Sequence, residues 1–148
     1  MRRFPIDGPA TFSDDFGADH RGIDIFADAG TPVVAVQDGS VRSGQELYGG
    51  NVIYLRGTDG VTYFYAHLDS YAGRFPRTVR AGDTIGTVGN TGNAVATDPH
   101  VHFEMHRPDE TINPYTYLSK AFNNGGIRWP LILGISVAAA LGWYLGTR

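Results

Sequence analysis

Between residues 20 and 118 the apolar positions recur with a period of two, in short runs broken by Gly, Pro, Asn and Asp. That pattern predicts an all-β unit of short strands and tight turns. In a strand over residues 23–26, Ile23 and Ile25 face one side and Asp24 and Phe26 the other. Residues 33–36 read as a β run that Asp38-Gly39 closes as a hairpin onto residues 40–43. Residues 51–56 and 61–68 form a second hairpin through Gly57-Thr58-Asp59-Gly60, and Val61, Tyr63, Tyr65 and His67 are expected on one face of its second strand. Residues 99–104 read as a further strand, in which His100 and His102 point one way while Val101 and Phe103 point into packing. A closing turn over residues 105–109 and a short helix over residues 112–118 are expected to follow.

The pattern changes at the C-terminal end. A run that opens at Trp129 and closes at Leu145 has no charged residue, with Arg128 before it and Arg148 after it. As a helix at about 1.5 Å per residue, such a run just spans a bilayer core of about 30 Å. Trp129, Trp143 and Tyr144 stand where an interfacial aromatic belt would. The expected organisation is an irregular lead over residues 1–19, a β domain over 20–120, a hinge over 121–127 and a membrane anchor over 128–148. The start of the chain, where acid, Gly and Pro interrupt any apolar run, does not read as a signal peptide.

With 148 residues the chain has room for one substantial core. A net charge of -3 with scattered Lys and Arg leaves no electrostatic footprint for nucleic acid. The absence of cysteine excludes disulfides, thiolate ligands and cysteine nucleophiles, so a bound metal must rely on His and carboxylate. The glycines of residues 82–92 are not a nucleotide loop, because no helix carrying Lys and Ser/Thr follows them. Lys120, the one lysine, lies outside the β unit, which removes a lipoyl-type carrier from consideration.

Taken singly, His20, His67, His100 and His102 each also fit an ordinary hydrogen-bonded or solvated histidine. As a set, His20, Asp24 and His102 offer two neutral nitrogens and one carboxylate, a donor set suited to one Zn²⁺ with a position left for water. His67 and His100 then remain as imidazoles for proton transfer or oxyanion stabilisation.

These residues stand in a specific series of motifs: His20-x-x-x-Asp24, Ala29-Gly30-Thr31-Pro32-Val33, Gly39-x-Val41, Tyr65-Ala66-His67-Leu68, Ile85-Gly86-x-Val88-Gly89-x-Thr91-Gly92, Pro99-His100-Val101-His102-Phe103-Glu104 and Asn113-Pro114. In content and order the series resembles the zinc endopeptidases of the lysostaphin and LytM type, peptidase family M23. The resemblance implies a compact antiparallel β fold with a groove across the sheet. It implies His20, Asp24 and His102 as zinc ligands, His67 and His100 as the pair that activates water and stabilises the transition state, and bacterial peptidoglycan peptide as substrate. The loop over residues 93–99 departs from the shorter Ser/Thr-Gly-Pro approach usual in the family, which implies a differently shaped groove.

With the apolar segment, the resemblance suggests an enzyme tethered to a lipid bilayer or carried in a phage particle among other virion proteins. The expected location is a virion membrane, or alternatively the bacterial cell envelope. A catalytically inactive module of the same fold, binding wall or partner protein, is the second reading.

Overall fold

Alternation of Ile, Val, Tyr and Phe with polar residues produces a sheet with one deeply buried face. The computed structural model describes residues 3–124. Among them, nine strands pair antiparallel in one sheet: β1 (Ile23–Phe26), β2 (Pro32–Val34), β3 (Gly39–Glu46), β4 (Gly50–Gly57), β5 (Thr62–Tyr71), β6 (Arg77–Val79), β7 (Thr84–Val88), β8 (His100–Arg107) and β9 (Glu110–Ile112). The path across the sheet is β1-β8-β5-β4-β3-β6, with β7 on β5, β2 on β7 and β9 on β8. Residues 105–107, expected in a closing turn, instead extend β8, Ile112 ends β9, and the α-helix, α1 (Tyr115–Asn123), starts only after Pro114.

The buried face carries Ile23, Ile25, Ile53, Leu55, Tyr63, Tyr65, Val101 and Phe103. Tyr65 reaches through this core: its hydroxyl donates to the Val34 carbonyl and accepts from the Val36 amide, both at 3.1 Å, so a buried phenol is fully satisfied. Among the described residues, the opposite face holds a small apolar cluster, Val52, Phe64 and Ala66 with Tyr54, beside the polar His102, Glu104 and His106. That asymmetry leaves one face of the central strands available for chemistry.

The hairpin expected between residues 33–36 and 40–43 does not form. β2 pairs with β7, and β3 pairs with β4 and β6. Val33, Val34, Ala35 and Val36 are all buried, so this run has no polar face from which its partner could be read. The 57–60 hairpin is present, joining β4 to β5.

Phe4, Ile6 and Ala10 of the N-terminal lead lie in the core. α1 continues through Asn123, with Leu118 fully buried and Ala121 and Phe122 packed against the core, so the start of the expected 121–127 hinge is helical. The expected anchor over residues 128–148 lies outside the described residues. Among the described residues, no helix is long and apolar enough to cross a membrane.

Candidate active site

Strand β8 presents His100, His102, Glu104 and His106 on one face and buries Val101, Phe103 and Met105 on the other, as a period of two requires. Antiparallel pairing places Asp24 of β1 directly opposite His102. The chain reaches β1 through a tight turn in which Gly17 and His20 exchange backbone hydrogen bonds. Gly22 allows the close approach: a Cβ there would lie 2.4 Å from the Phe103 carbonyl oxygen and 3.0 Å from the His102 ring.

These constraints bring His20, Asp24 and His102 together. Nε2 of His20 lies 3.1 Å from Oδ1 of Asp24, Nδ1 of His102 lies 2.9 Å from the same oxygen, and the two nitrogens are 3.1 Å apart. Tetrahedral zinc keeps neighbouring ligand atoms about 3.3 Å apart, close to these separations. The outward nitrogens are committed elsewhere. Nδ1–H of His20 donates to the Asp15 carbonyl at 3.0 Å, and Nε2–H of His102 donates to Oε2 of Glu104 at 2.7 Å. With both rings in those tautomers, two nitrogen lone pairs and a carboxylate oxygen converge with no proton between them, an arrangement that a cation relieves.

Electrostatics show the same demand for positive charge. Burial opposes ionisation of Asp24, but His102, His100 and His20 outweigh it and lower its pKa. Burial likewise opposes the charged form of His102, yet Asp24 and Glu104 on its two nitrogens raise its pKa to about 9, so without a metal a second proton, on Nδ1, takes the place facing Asp24.

His67 arrives by a different route. Between the pairs Asn51↔Leu68 and Ile53↔Tyr65, β4 has Val52 alone where β5 has Ala66 and His67, which is a β-bulge. His67 takes φ +64°, the one positive φ outside glycine among the described residues. The extra residue shifts the alternation. His67 therefore leaves the face of Tyr63 and Tyr65, where the sequence pattern puts it, and joins Phe64 and Ala66 on the groove side.

There, Nδ1–H of His67 donates to the Thr91 carbonyl at 2.8 Å and Nδ1–H of His100 to the Asp98 carbonyl at 2.9 Å. Each ring thus turns Nε2 away from its backbone anchor; that of His100 lies 3.8 Å from Oδ2 of Asp24. The two rings are 5.0 Å apart by centroid. Burial lowers the His67 pKa against the raising effect of the Thr91 carbonyl, which favours a neutral, proton-accepting imidazole.

All five residues singled out from sequence therefore share one groove, with a volume of about 820 Å³. Sequence reasoning gave no role to Glu104 and His106. Oε1 of Glu104 lies 2.5 Å from Nε2 of His106, so this carboxylate joins two imidazoles. The period-two continuation His100, His102, Glu104, His106 was the available signal. Asn93, Ala94 and Thr97 of the 93–99 loop line the same groove.

The sequence profile of peptidase family M23 matches residues 18–114. The DD-carboxypeptidase/endopeptidase Mpg of Neisseria meningitidis is 40% identical over 96 residues, covering 64% of this chain and 22% of that protein. The murein hydrolase activator NlpD of Salmonella typhimurium is 36% identical over 121 residues, covering 78% of this chain and 31% of that protein. The chain thus spans under a third of the length of these two relatives. Among solved structures, the catalytic domain of the antimicrobial peptidase lysostaphin from Staphylococcus simulans is similar with a TM-score of 0.63 and 33% identity, over 77% of this chain and 89% of that one.

Proposed function

The chain belongs to peptidase family M23, and on that premise we propose that it is a zinc-dependent endopeptidase that hydrolyses peptide bonds in bacterial peptidoglycan cross-links or stems. The observation that carries this reading is the convergence of His20, Asp24 and His102 with their outward nitrogens already committed, beside two further imidazoles. His20, Asp24 and His102 would hold the zinc. When bound, it supplies Lewis acidity toward water and the scissile carbonyl.

The remaining chemistry falls to the chain itself. His67, anchored through Nδ1 and kept neutral by burial, has Nε2 available to take the proton of the attacking water and afterwards to give it to the leaving amine. His100, its Nδ1–H committed to the Asp98 carbonyl, is placed to donate from Nε2, in its imidazolium form, to the oxygen on which negative charge develops. Glu104 holds the His102 ring in orientation from behind.

The similarity to a murein hydrolase activator supports a second reading, in which the domain binds wall or partner protein without cutting. Digestion of purified peptidoglycan, followed by mass spectrometry of the released fragments, separates the two. Under the peptidase reading, new peptide termini appear with the zinc-loaded protein, vanish on chelation and return when zinc is restored. Unchanged peptides from the zinc-loaded protein would favour the binding module. The apolar run over residues 129–145 supports a further proposal, attachment to a lipid bilayer of the cell envelope or of a virion.

A further inference from the structure

The groove continues beyond the histidines onto β3 and β4. Strand register arranges its floor in rows: Arg42, Tyr54, Phe64 and Glu104 lie opposite one another in turn, and Ser40, Arg56, Thr62 and His106 form the next row. A second concavity of about 470 Å³ lies over these rows and shares Arg42, Tyr54, Thr62 and His106 with the groove.

Both arginines are exposed. The Arg42 guanidinium is held 3.9 Å above the Tyr54 ring, a stacked position that leaves its edge N–H groups free to donate. Among the described residues, no carboxylate lies within ion-pair distance of Arg42 or Arg56, whereas the neighbouring Arg107 is paired with Glu110 at 3.0 Å. Glu46, beside Tyr54, already accepts the Tyr54 hydroxyl. Glu46 and Glu104 lie along the same strip but are engaged by Tyr54 and by His102 and His106, so Arg42 and Arg56 are the charges it offers to a ligand.

We propose that Arg42 and Arg56 form a subsite for a carboxylate of the substrate, which directs the enzyme to stem peptides bearing free carboxylates and away from uncharged glycine bridges. The inference rests on the peptidase reading. Its geometry suits a short peptide. Arg56 stands two strands over from His102 and four residues along, or about 16 Å by strand spacing and rise, a span that about five extended residues cover. Guanidinium and carboxylate match as paired donors and acceptors, which an amide cannot reproduce.

The test uses the full chain, zinc-loaded, with two forms of one pentapeptide stem, the free acid and its carboxamide, and with the corresponding cross-linked stems. By calorimetry the free acid should bind about five- to tenfold more tightly than the amide. Arg42→Gln and Arg56→Gln should each shrink that ratio, and Arg56→Glu should invert it. With cross-linked stems the same substitutions should raise KM for the acid while kcat stays within about twofold. Equal affinity for acid and amide in the unaltered protein, or a preference surviving in the double Gln variant, would overturn the subsite. Cleavage without acid preference would remove the subsite and leave the peptidase reading intact. Acid-selective binding without cleavage would do the reverse.

Discussion

Nε2–H of His102 donates to Oε2 of Glu104 at 2.7 Å, and that bond turns the Nδ1 lone pair of the same ring toward Asp24 and His20. Glu104→Gln keeps the shape but removes the anionic acceptor that selects this tautomer. Zinc affinity should fall by about 10- to 100-fold. Competition with a chelator of known affinity measures it, and an affinity equal to that of the unaltered protein would leave Glu104 without this role.

The ligand cluster and the core occupy opposite faces of the same strands, because Ile23, Ile25, Val101 and Phe103 point away from Asp24 and His102. His20→Ala, Asp24→Ala and His102→Ala should therefore lose zinc and remain folded. Gly22→Ala should also lower zinc occupancy, since its Cβ collides with the Phe103 carbonyl and moves β1 away from β8. Elemental analysis beside circular dichroism checks both statements.

His67→Ala and His100→Ala should retain zinc and slow turnover by about 10² to 10⁴. His67 also bears the cost of a left-handed backbone, about 1 kcal/mol or more for a residue with a Cβ. His67→Gly should therefore be more stable than His67→Ala while remaining equally impaired. Equal melting temperatures for the two would mean that the bulge imposes no such cost.

The charge state of His102 produces a pH signature in zinc-free protein. Its folded pKa, raised from 6.5 to about 9 by Asp24 and Glu104 against the opposing effect of burial, makes the protonated ring a stabilising partner. That contribution is complete below about 6.5 and is lost as pH rises through about 9. The depressed carboxylates Asp24 and Glu104 act at the other end, stabilising above their ordinary range and losing that effect as pH falls. Chelated protein should thus melt at progressively lower temperature between pH 6.5 and 9, a decline absent with zinc bound, where the metal replaces the proton. Parallel melting curves with and without chelator would contradict this.

For the apolar C-terminal run, the expectation is association with lipid. The full chain should float with liposomes, and a chain ending at Asn124 should stay folded and monodisperse in plain buffer, because Leu118 lies in the core and Ala121 and Phe122 pack against it. A full chain that does not float, with an aggregating truncation, would make the run part of the domain.

Alternation in the sequence determined that residues 23–26 and 99–104 are strands, and that Asp24, His100 and His102 lie on the faces opposite Ile23, Ile25, Val101 and Phe103, though not that β8 runs on to Arg107. Local stereochemistry suffices for that, since a strand gives each side chain a face by parity alone. Three matters required the assembled sheet. The uniformly buried run of residues 33–36 has no parity to read, so only tertiary packing decided that β2 joins β7. The bulge at Ala66 and His67 depends on how β5 meets β4, and it moves His67 from the core face to the groove. The link from Glu104 to His102 and His106, and the rows that align Arg42 and Arg56 with them, follow from register across several strands. Register is a property of pairs of strands, set by burial of the whole sheet, and no single segment of sequence contains it.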